Sequence, residues 1–244
     1  GLSNILDVLA YNTHVNGLTA NYSLNEAFLT TAQLRSSVVS HAQTLGYEVS
    51  SSTAAKAIVN LSLNLTGVSG RPAQIALAKG TTFTSSIDGV TFTFRTRETF
   101  YAQDNGTGTY EFKASDGTSN ISIFEGVEKI KTFLVGEKDE RQVYVIPDTT
   151  MDTSTAVVEV FETASSSTFV TYTPLSQAIN VNANTTHLSI YESPNGFYEL
   201  NFGDGISFGK SPEPGEKVVV TYLSNKAIAA NNGTVFTPSS TITI

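Results

Sequence analysis

The first 46 residues repeat apolar side chains at helical spacing, whereas most of the remaining chain alternates apolar and polar side chains. The helical pattern predicts a first helix that has Ser3 or Asn4 available as its N-cap and that Gly17 ends or weakens. The apolar positions of this first helix are Ile5, Leu6, Leu9, Ala10 and Leu18.

A second helix is predicted to begin at Ser23, because Ser23 and Glu26 have the spacing of a capping box. We expect this helix to end at Gly46, since glycine is the usual left-handed stop. Its apolar positions are Leu24, Phe28, Val38, Val39, Ala42 and Leu45. Residues 1–56 are therefore expected to form two antiparallel helices with a short turn.

After residue 56 the period changes to two, which predicts strands. Residues 59–65 show it first, and the Asp88-Gly89 dipeptide predicts a hairpin turn. We predict a first β region at 57–126, an inserted small β domain at 127–201, and return strands at 202–244 that join the β body. The expected fold class is α+β: an antiparallel helix pair followed by mainly antiparallel β-sheet or sandwich modules. No βαβ alternation is seen, which disfavours parallel α/β enzyme folds.

Composition removes several classes of function. The formal net charge of the 244 residues is −8, and no cluster of Lys or Arg could neutralise several phosphates, so we expect no nucleic-acid binding. The chain has no cysteine, which excludes disulfides and thiolate metal sites. No apolar run approaches the length of a membrane span, so we expect no membrane partner. Because the first residue is Gly1, we expect the chain to be a fragment.

No catalytic arrangement is found. His14, His41 and His187 are far apart and form no metal-binding pair, and no GxSxG elbow is present, so we expect no enzyme activity, metal or cofactor. Four carboxylates could in principle act in pairs on a glycosidic bond, but they alternate with lysines and arginines, which is typical of solvent-facing strands and turns. These carboxylates are Glu125, Glu128, Asp139 and Glu140.

The segment "FGDGISFGK" at 202–210 is predicted to be a tight turn between strands. A single carboxylate is too few for a calcium cage, and the segment does not match a P-loop. We expect Asp204 to cap the turn, and Phe202 and Phe208 to face the core.

The N-terminal sequence resembles that of a known protein family. Residues 5–55, "ILDVLAYNTHVNGLTANYSLNEAFLTTAQLRSSVVSHAQTLGYEVSSSTAA", resemble the N-terminal signature of the baseplate J-like family, and in particular its wedge members in T-even-type contractile-tailed bacteriophages. The resemblance continues more weakly in "GFYELNFGDGISFGKSPEPGEKVVVTYLS" at 196–224.

The resemblance implies a structural role. Wedge proteins of this family assemble the baseplate of a contractile tail, where they link wedges into a ring around the hub. It also implies that the full-length protein pairs with itself and with neighbouring wedge proteins, in a virion tail baseplate assembled in the cytoplasm of the bacterial host. T-even-type members are considerably longer than this chain, which again indicates a fragment.

A capped helix pair can present an apolar stripe to helices of another chain, so we predict an assembly interface here. The candidate interface residues are Ile5, Leu6, Leu9, Phe28, Leu34, Arg35, Val38 and Val39. The alternative is that the same stripe packs against the chain's own sheet. For Arg35 we expect a structural ion pair with a carboxylate, either Glu26 or Asp7 in the chain or an acidic group of a partner.

A second function stays open. The Thr- and Asn-rich strands and the ten tyrosines would also suit a carbohydrate-binding or adhesin-like β domain of a tail or surface protein. The absence of tryptophan weakens this alternative, because sugar platforms favour the indole ring.

Overall fold

A computed structural model of the chain describes residues 1–47, 49–137 and 142–239. Of the charged turn expected at 137–141, only Glu137 lies within these residues, so the candidate acids Asp139 and Glu140 are outside them. The chain divides into two compact units: unit 1 comprises 1–50, 135–149 and 172–215, and unit 2 comprises 51–134, 150–171 and 216–244. The four consecutive regions expected from the sequence stay a prediction.

The first helix, α1, spans Leu2–Glu26 and is longer than expected. It passes through Gly17 without a break, because one glycine inside a helix costs only about 1 kcal/mol. Neither Ser3 nor Asn4 is its N-cap, which is Gly1 without a side-chain hydrogen bond. The predicted capping box is also wrong, since Ser23 lies inside α1 rather than before a new helix.

The second helix, α2, spans Arg35–Thr44 and has Leu34 as its N-cap. The predicted stop at Gly46 is confirmed, because Gly46 has the positive φ of 79° that a left-handed residue after a helix requires. The segment 27–34 between the two helices is the true joint of the helical region.

Sixteen strands lie in the described residues. They are β1 (Lys56–Val59), β2 (Ser62–Asn64), β3 (Gln74–Leu77), β4 (Thr82–Ile87), β5 (Val90–Thr96), β6 (Phe100–Gln103), β7 (Thr109–Glu111), β8 (Ile121–Glu125), β9 (Val127–Leu134), β10 (Tyr144–Ile146), β11 (Met151–Phe161), β12 (Phe169–Pro174), β13 (His187–Glu192), β14 (Tyr198–Phe202), β15 (Lys217–Ser224) and β16 (Thr237–Pro238). Short 3₁₀ turns occur at Leu175–Gln177 and Ala227–Ala230.

Unit 2 is built from antiparallel strands. One sheet has the order β1-β8-β5-β4-β16, β2 pairs with β7, β3 pairs with β6, and β15 lies between β11 and β9. The hairpin turn predicted at Asp88-Gly89 is confirmed, since both residues have positive φ and the turn joins β4 to β5. One hydrophobic cluster of unit 2 includes the large side chains of Leu77, Phe94, Tyr110, Phe112, Ile121 and Ile123, all at most 1% exposed.

The alternating run 59–65 is divided between two sheets. β1 ends at Val59 and pairs with β8, whereas β2 begins at Ser62 and pairs with β7. The apolar side chains Leu61, Leu63 and Leu65 still face the core of unit 2, so the period of two survives the change of partner.

Unit 1 contains both helices and a small sheet. β14 lies antiparallel between β10 and β13, and the end of β12 runs parallel to β13. The ring of Phe202 packs edge-on against Tyr144 and Tyr172, with centroids 5.4 and 5.2 Å away. An N-terminal helix, a second short helix and mostly antiparallel sheets confirm the expected α+β class.

Candidate assembly interface

Helix α1 buries none of its residues within the described chain. Only Val15 and Glu26 are half-buried, and all other side chains of the helix are exposed. Most helices of globular proteins are stabilised by packing an apolar face against the rest of the chain. Exposed apolar area of this kind is typical of surfaces that bind other molecules.

Most apolar side chains of α1, all exposed except the half-buried Val15, form two stripes that are centred roughly 150° apart when each residue turns the helix by 100°. The N-terminal stripe consists of Leu2, Ile5, Leu6 and Leu9. The long stripe consists of Val8, Tyr11, Val15, Leu18 and Tyr22, at intervals of three and four residues. This spacing is the a/d repeat of helices that pack side by side. Only the N-terminal stripe was among the predicted interface residues, although the long repeat is visible in the sequence.

The joint between the helices is held by Glu26. Its carboxylate accepts the backbone N–H of Gln33 at 3.0 Å and of Leu34 at 3.2 Å, at the start of α2. Hydrogen bonds from the Ser37 hydroxyl and the Gln33 N–H hold the pKa of Glu26 below its usual value. The ring of His41 also lies 2.8 Å from the backbone oxygen of Glu26. Glu26 therefore holds the residues just before α2, rather than capping a helix that begins at Ser23.

Arg35 fastens α2 to β13 through a two-pronged ion pair. Its Nε donates to Oε1 of Glu192 at 2.7 Å, and its Nη2 donates to Oε2 at 2.6 Å. The Arg35 side chain is 64% exposed and that of Glu192 only 4%. The carboxylate raises the pKa of Arg35, and Gln43 adds a hydrogen bond of 2.9 Å to the backbone oxygen of Glu192. The partner of Arg35 is thus neither Glu26 nor Asp7, because the fold brings in a carboxylate 157 residues away.

The predicted interface residues differ in exposure. Five of them are exposed apolar residues: Ile5, Leu6, Leu9, Phe28 and Leu34. Val38 is half-buried, and Val39 is 4% exposed, so its side chain packs inside the chain. The apolar side chains of α1 are therefore open to solvent, whereas one face of α2 packs inside the chain.

The loop 202–210 is a turn capped by Asp204, whose Oδ1 accepts three backbone N–H groups, those of Ile206, Ser207 and Phe208. These bonds, with that of Phe208 contributing most, hold the pKa of Asp204 below its ordinary value. The expectation that Phe208 faces the core is wrong: it is 52% exposed, and its ring meets His187 edge-on at 5.3 Å.

The remaining candidate residues for chemistry are dispersed. Burial raises the pKa of Glu125, whose carboxylate accepts the N–H of Lys226 at 2.9 Å. Glu128 lies 3.8 Å from Lys79 in an ion pair. His187 is buried, and neither ring nitrogen has a hydrogen-bond partner. Across the described residues, no three His, Asp or Glu side chains are grouped to hold a metal ion, and no helix is long and apolar enough to cross a membrane.

The helical region has relatives among known proteins. Residues 1–47 match the family model of the helical domain of baseplate wedge protein gp6-like proteins. The chain is also 25% identical over 264 aligned positions to the baseplate wedge protein gp6 of Enterobacteria phage T4, and the match covers 99% of this chain and 36% of that protein. The chain thus spans about a third of the length of the curated relative it matches. The resemblance to bacteriophage baseplate wedge proteins that the sequence motifs indicate is therefore confirmed.

Proposed function

We propose that this chain is a non-catalytic structural part of a contractile phage tail baseplate, and that it acts by binding other baseplate proteins. The observation that carries the proposal is the 25-residue helix α1, which buries no residue in the described chain yet bears two apolar stripes. The similarity to a wedge protein supports the same role. In this proposal the virion tail baseplate is the site of action, after assembly in the host cytoplasm.

Two stripes on one helix fit two neighbours. A helix packed side by side with others buries one seam against each of them. The proposed partners are a second copy of the full-length protein and neighbouring wedge proteins, and these contacts would link wedges into a ring around the hub. The Arg35 to Glu192 ion pair holds α2, and the hydrogen bonds of the Glu26 carboxylate hold the joint at the base of α1.

Charged substitutions on α1 test the proposal. Leu18→Asp in the long stripe and Leu9→Asp in the N-terminal stripe place a charge where a partner helix would pack. Asn21→Asp is the matched control, because residue 21 lies between the stripes on the same helix. Each protein is co-expressed with the other tail proteins of its gene cluster, and captured proteins are identified and counted by mass spectrometry.

We expect both stripe variants to capture tail proteins more weakly, while their thermal unfolding stays close to that of the parent chain because α1 buries nothing. The control should behave like the parent chain in both measurements. Unchanged capture by both stripe variants would contradict the proposal. A collapse of the unfolding transition would show instead that the stripes pack within the chain.

A further inference from the structure

Two small strand pairs of unit 2 present a polar outer surface. The pairs β3-β6 and β2-β7 are joined by bridges between Tyr101 and Lys113 and between Asp104 and Tyr110. Alternation along the strands sends one set of side chains inward, including Phe100, Tyr110 and Phe112, all at most 2% exposed. The opposite set therefore faces outward together.

The outward side chains line an open groove of about 970 Å³, a volume in the range of small-molecule sites. Gln74 and Gln103 lie directly opposite each other on β3 and β6, and Tyr101 is two residues before Gln103 on the same face. Lys113 is the bridge partner of Tyr101. Within the described chain, these four side chains make no hydrogen bond or ion pair.

Tyr101 is the aromatic residue of the groove lining, and its side chain is 54% exposed. An exposed ring offers a flat apolar face, and amide side chains each offer both a donor and an acceptor. That combination matches a pyranose ring, which has one face of C–H groups and a rim of hydroxyls. A protein partner would instead be expected to meet several aromatic or aliphatic side chains at the centre of its interface.

The charges of the groove narrow the class of sugar. Glu98, Asp104 and Glu111 contribute three carboxylates to the lining, against the ammonium of Lys113. Asp104 is paired with Arg71 at 3.0 Å, and the other two carboxylates and the ammonium have no ion-pair partner among the described residues. An excess of negative charge repels phosphate, sulfate and sialic-acid groups. Neutral sugars are therefore favoured over anionic ones.

We propose that this groove, defined by Gln74, Tyr101, Gln103 and Lys113, binds a neutral oligosaccharide with one sugar ring against Tyr101. The binding site goes beyond the proposed structural role, since it lies on unit 2 and uses no residue of α1 or α2. It also gives a location to the carbohydrate-binding alternative that the sequence left open.

Saturation-transfer difference NMR on the intact chain tests the proposal at high millimolar sugar. The probes are neutral oligomers of glucose, galactose and N-acetylglucosamine, with a heparin-derived oligosaccharide as the anionic probe. We expect transfer to at least one neutral oligomer, strongest at the C–H protons of one sugar face. Tyr101→Ala should lower the association constant at least about tenfold, whereas Tyr101→Phe should keep it.

Tyr191→Ala is the matched control, because Tyr191 is also a strand tyrosine with an exposed ring; it should bind sugar like the parent chain. Gln103→Glu keeps the size of the side chain but removes both donors, so it should weaken binding. Three results would overturn the proposal: no transfer to any neutral oligomer, binding of the heparin probe alone, or neutral binding that survives Tyr101→Ala. A loss of tail-protein capture by Tyr101→Ala would also overturn it, since the groove would then be a protein interface.

Discussion

Replacing Arg35 by alanine would leave the carboxylate of Glu192 buried without its cation. An exposed ion pair contributes below about 1 kcal/mol, whereas breaking a buried pair costs about 3–5 kcal/mol. Here the carboxylate is 4% exposed and the arginine 64%. We therefore expect Arg35→Ala to lower the free energy of opening α2 by about 2 kcal/mol. Arg35→Lys keeps the charge but not the two parallel hydrogen bonds, and should lower it by about 1 kcal/mol.

Hydrogen exchange followed by mass spectrometry suits this measurement, because it reports the opening of α2 separately from the unfolding of other parts. A loss of about 2 kcal/mol corresponds to roughly 30-fold faster exchange of the protected amides of α2. Lys79→Ala is the matched control, since its ion pair with Glu128 joins two partly exposed side chains at 3.8 Å. That change should cost below about 1 kcal/mol and leave α2 unaffected.

A double-mutant cycle with Glu192→Gln separates the pair from its surroundings. A neutral amide is less costly to leave buried than a carboxylate, so the combined variant should lose at least about 1 kcal/mol less than the sum of the single variants. If the free-energy losses of the two single variants were additive, the argument that the Arg35 to Glu192 ion pair stabilises α2 on β13 would be refuted. Unchanged exchange of α2 in Arg35→Ala would refute it as well.

Three further changes have expected outcomes. Asp152→Ala removes a buried acceptor of two backbone N–H groups and should lower the unfolding free energy by about 2–3 kcal/mol in chemical denaturation, whereas Asp116→Ala, on an exposed turn, should leave it nearly unchanged. Gly209→Ala would place its Cβ in steric overlap with the buried ring of His187 and should lower the unfolding free energy by more than about 2 kcal/mol. Gly215→Ala, at a residue with the same sign of φ but open space, should lower it by about 1 kcal/mol in the same assay. Burial raises the pKa of Glu125, so the charge on its carboxylate destabilises the fold as pH rises through that pKa. Above neutrality the denaturation midpoint of Glu125→Gln should therefore exceed that of the parent chain. Near pH 4, where the carboxyl of the parent chain is protonated, the two midpoints should be equal. Equal midpoints of Glu125→Gln and the parent chain at both pH values would contradict the argument that the buried charge of Glu125 destabilises the fold.

Local patterns in the sequence predicted much of the fold. The stop at Gly46, the Asp88-Gly89 turn and the alternating strands depend on a few adjacent residues, and each is found in the structure. The border between the helices was missed, because the spacing of Ser23 and Glu26 matches a capping box whether or not a helix begins there.

Contacts between distant residues could not be predicted. Nothing near Arg35 in the sequence indicates that its carboxylate partner is Glu192, because that pairing depends on where β13 lies in the fold. The polar groove also depends on contacts between distant residues. In the sequence Gln74, Gln103 and Lys113 look like ordinary surface residues, and only the strand register brings them to one face. The exposed stripes of α1 were predicted in part, since helical period shows which residues share a face but not what covers it.

The joint at residues 27–34 lets α1 act as a lever arm. A helix of 25 residues is about 37 Å long, and the Glu26 hydrogen bonds connect its base to α2. A rotation of about 10° at that joint would carry the far end of the helix about 6 Å. That sideways displacement is more than half of the about 8–10 Å that separates the axes of packed helices, so a small change in the few hydrogen bonds around Glu26 would separate or reorient whatever packs along the stripes.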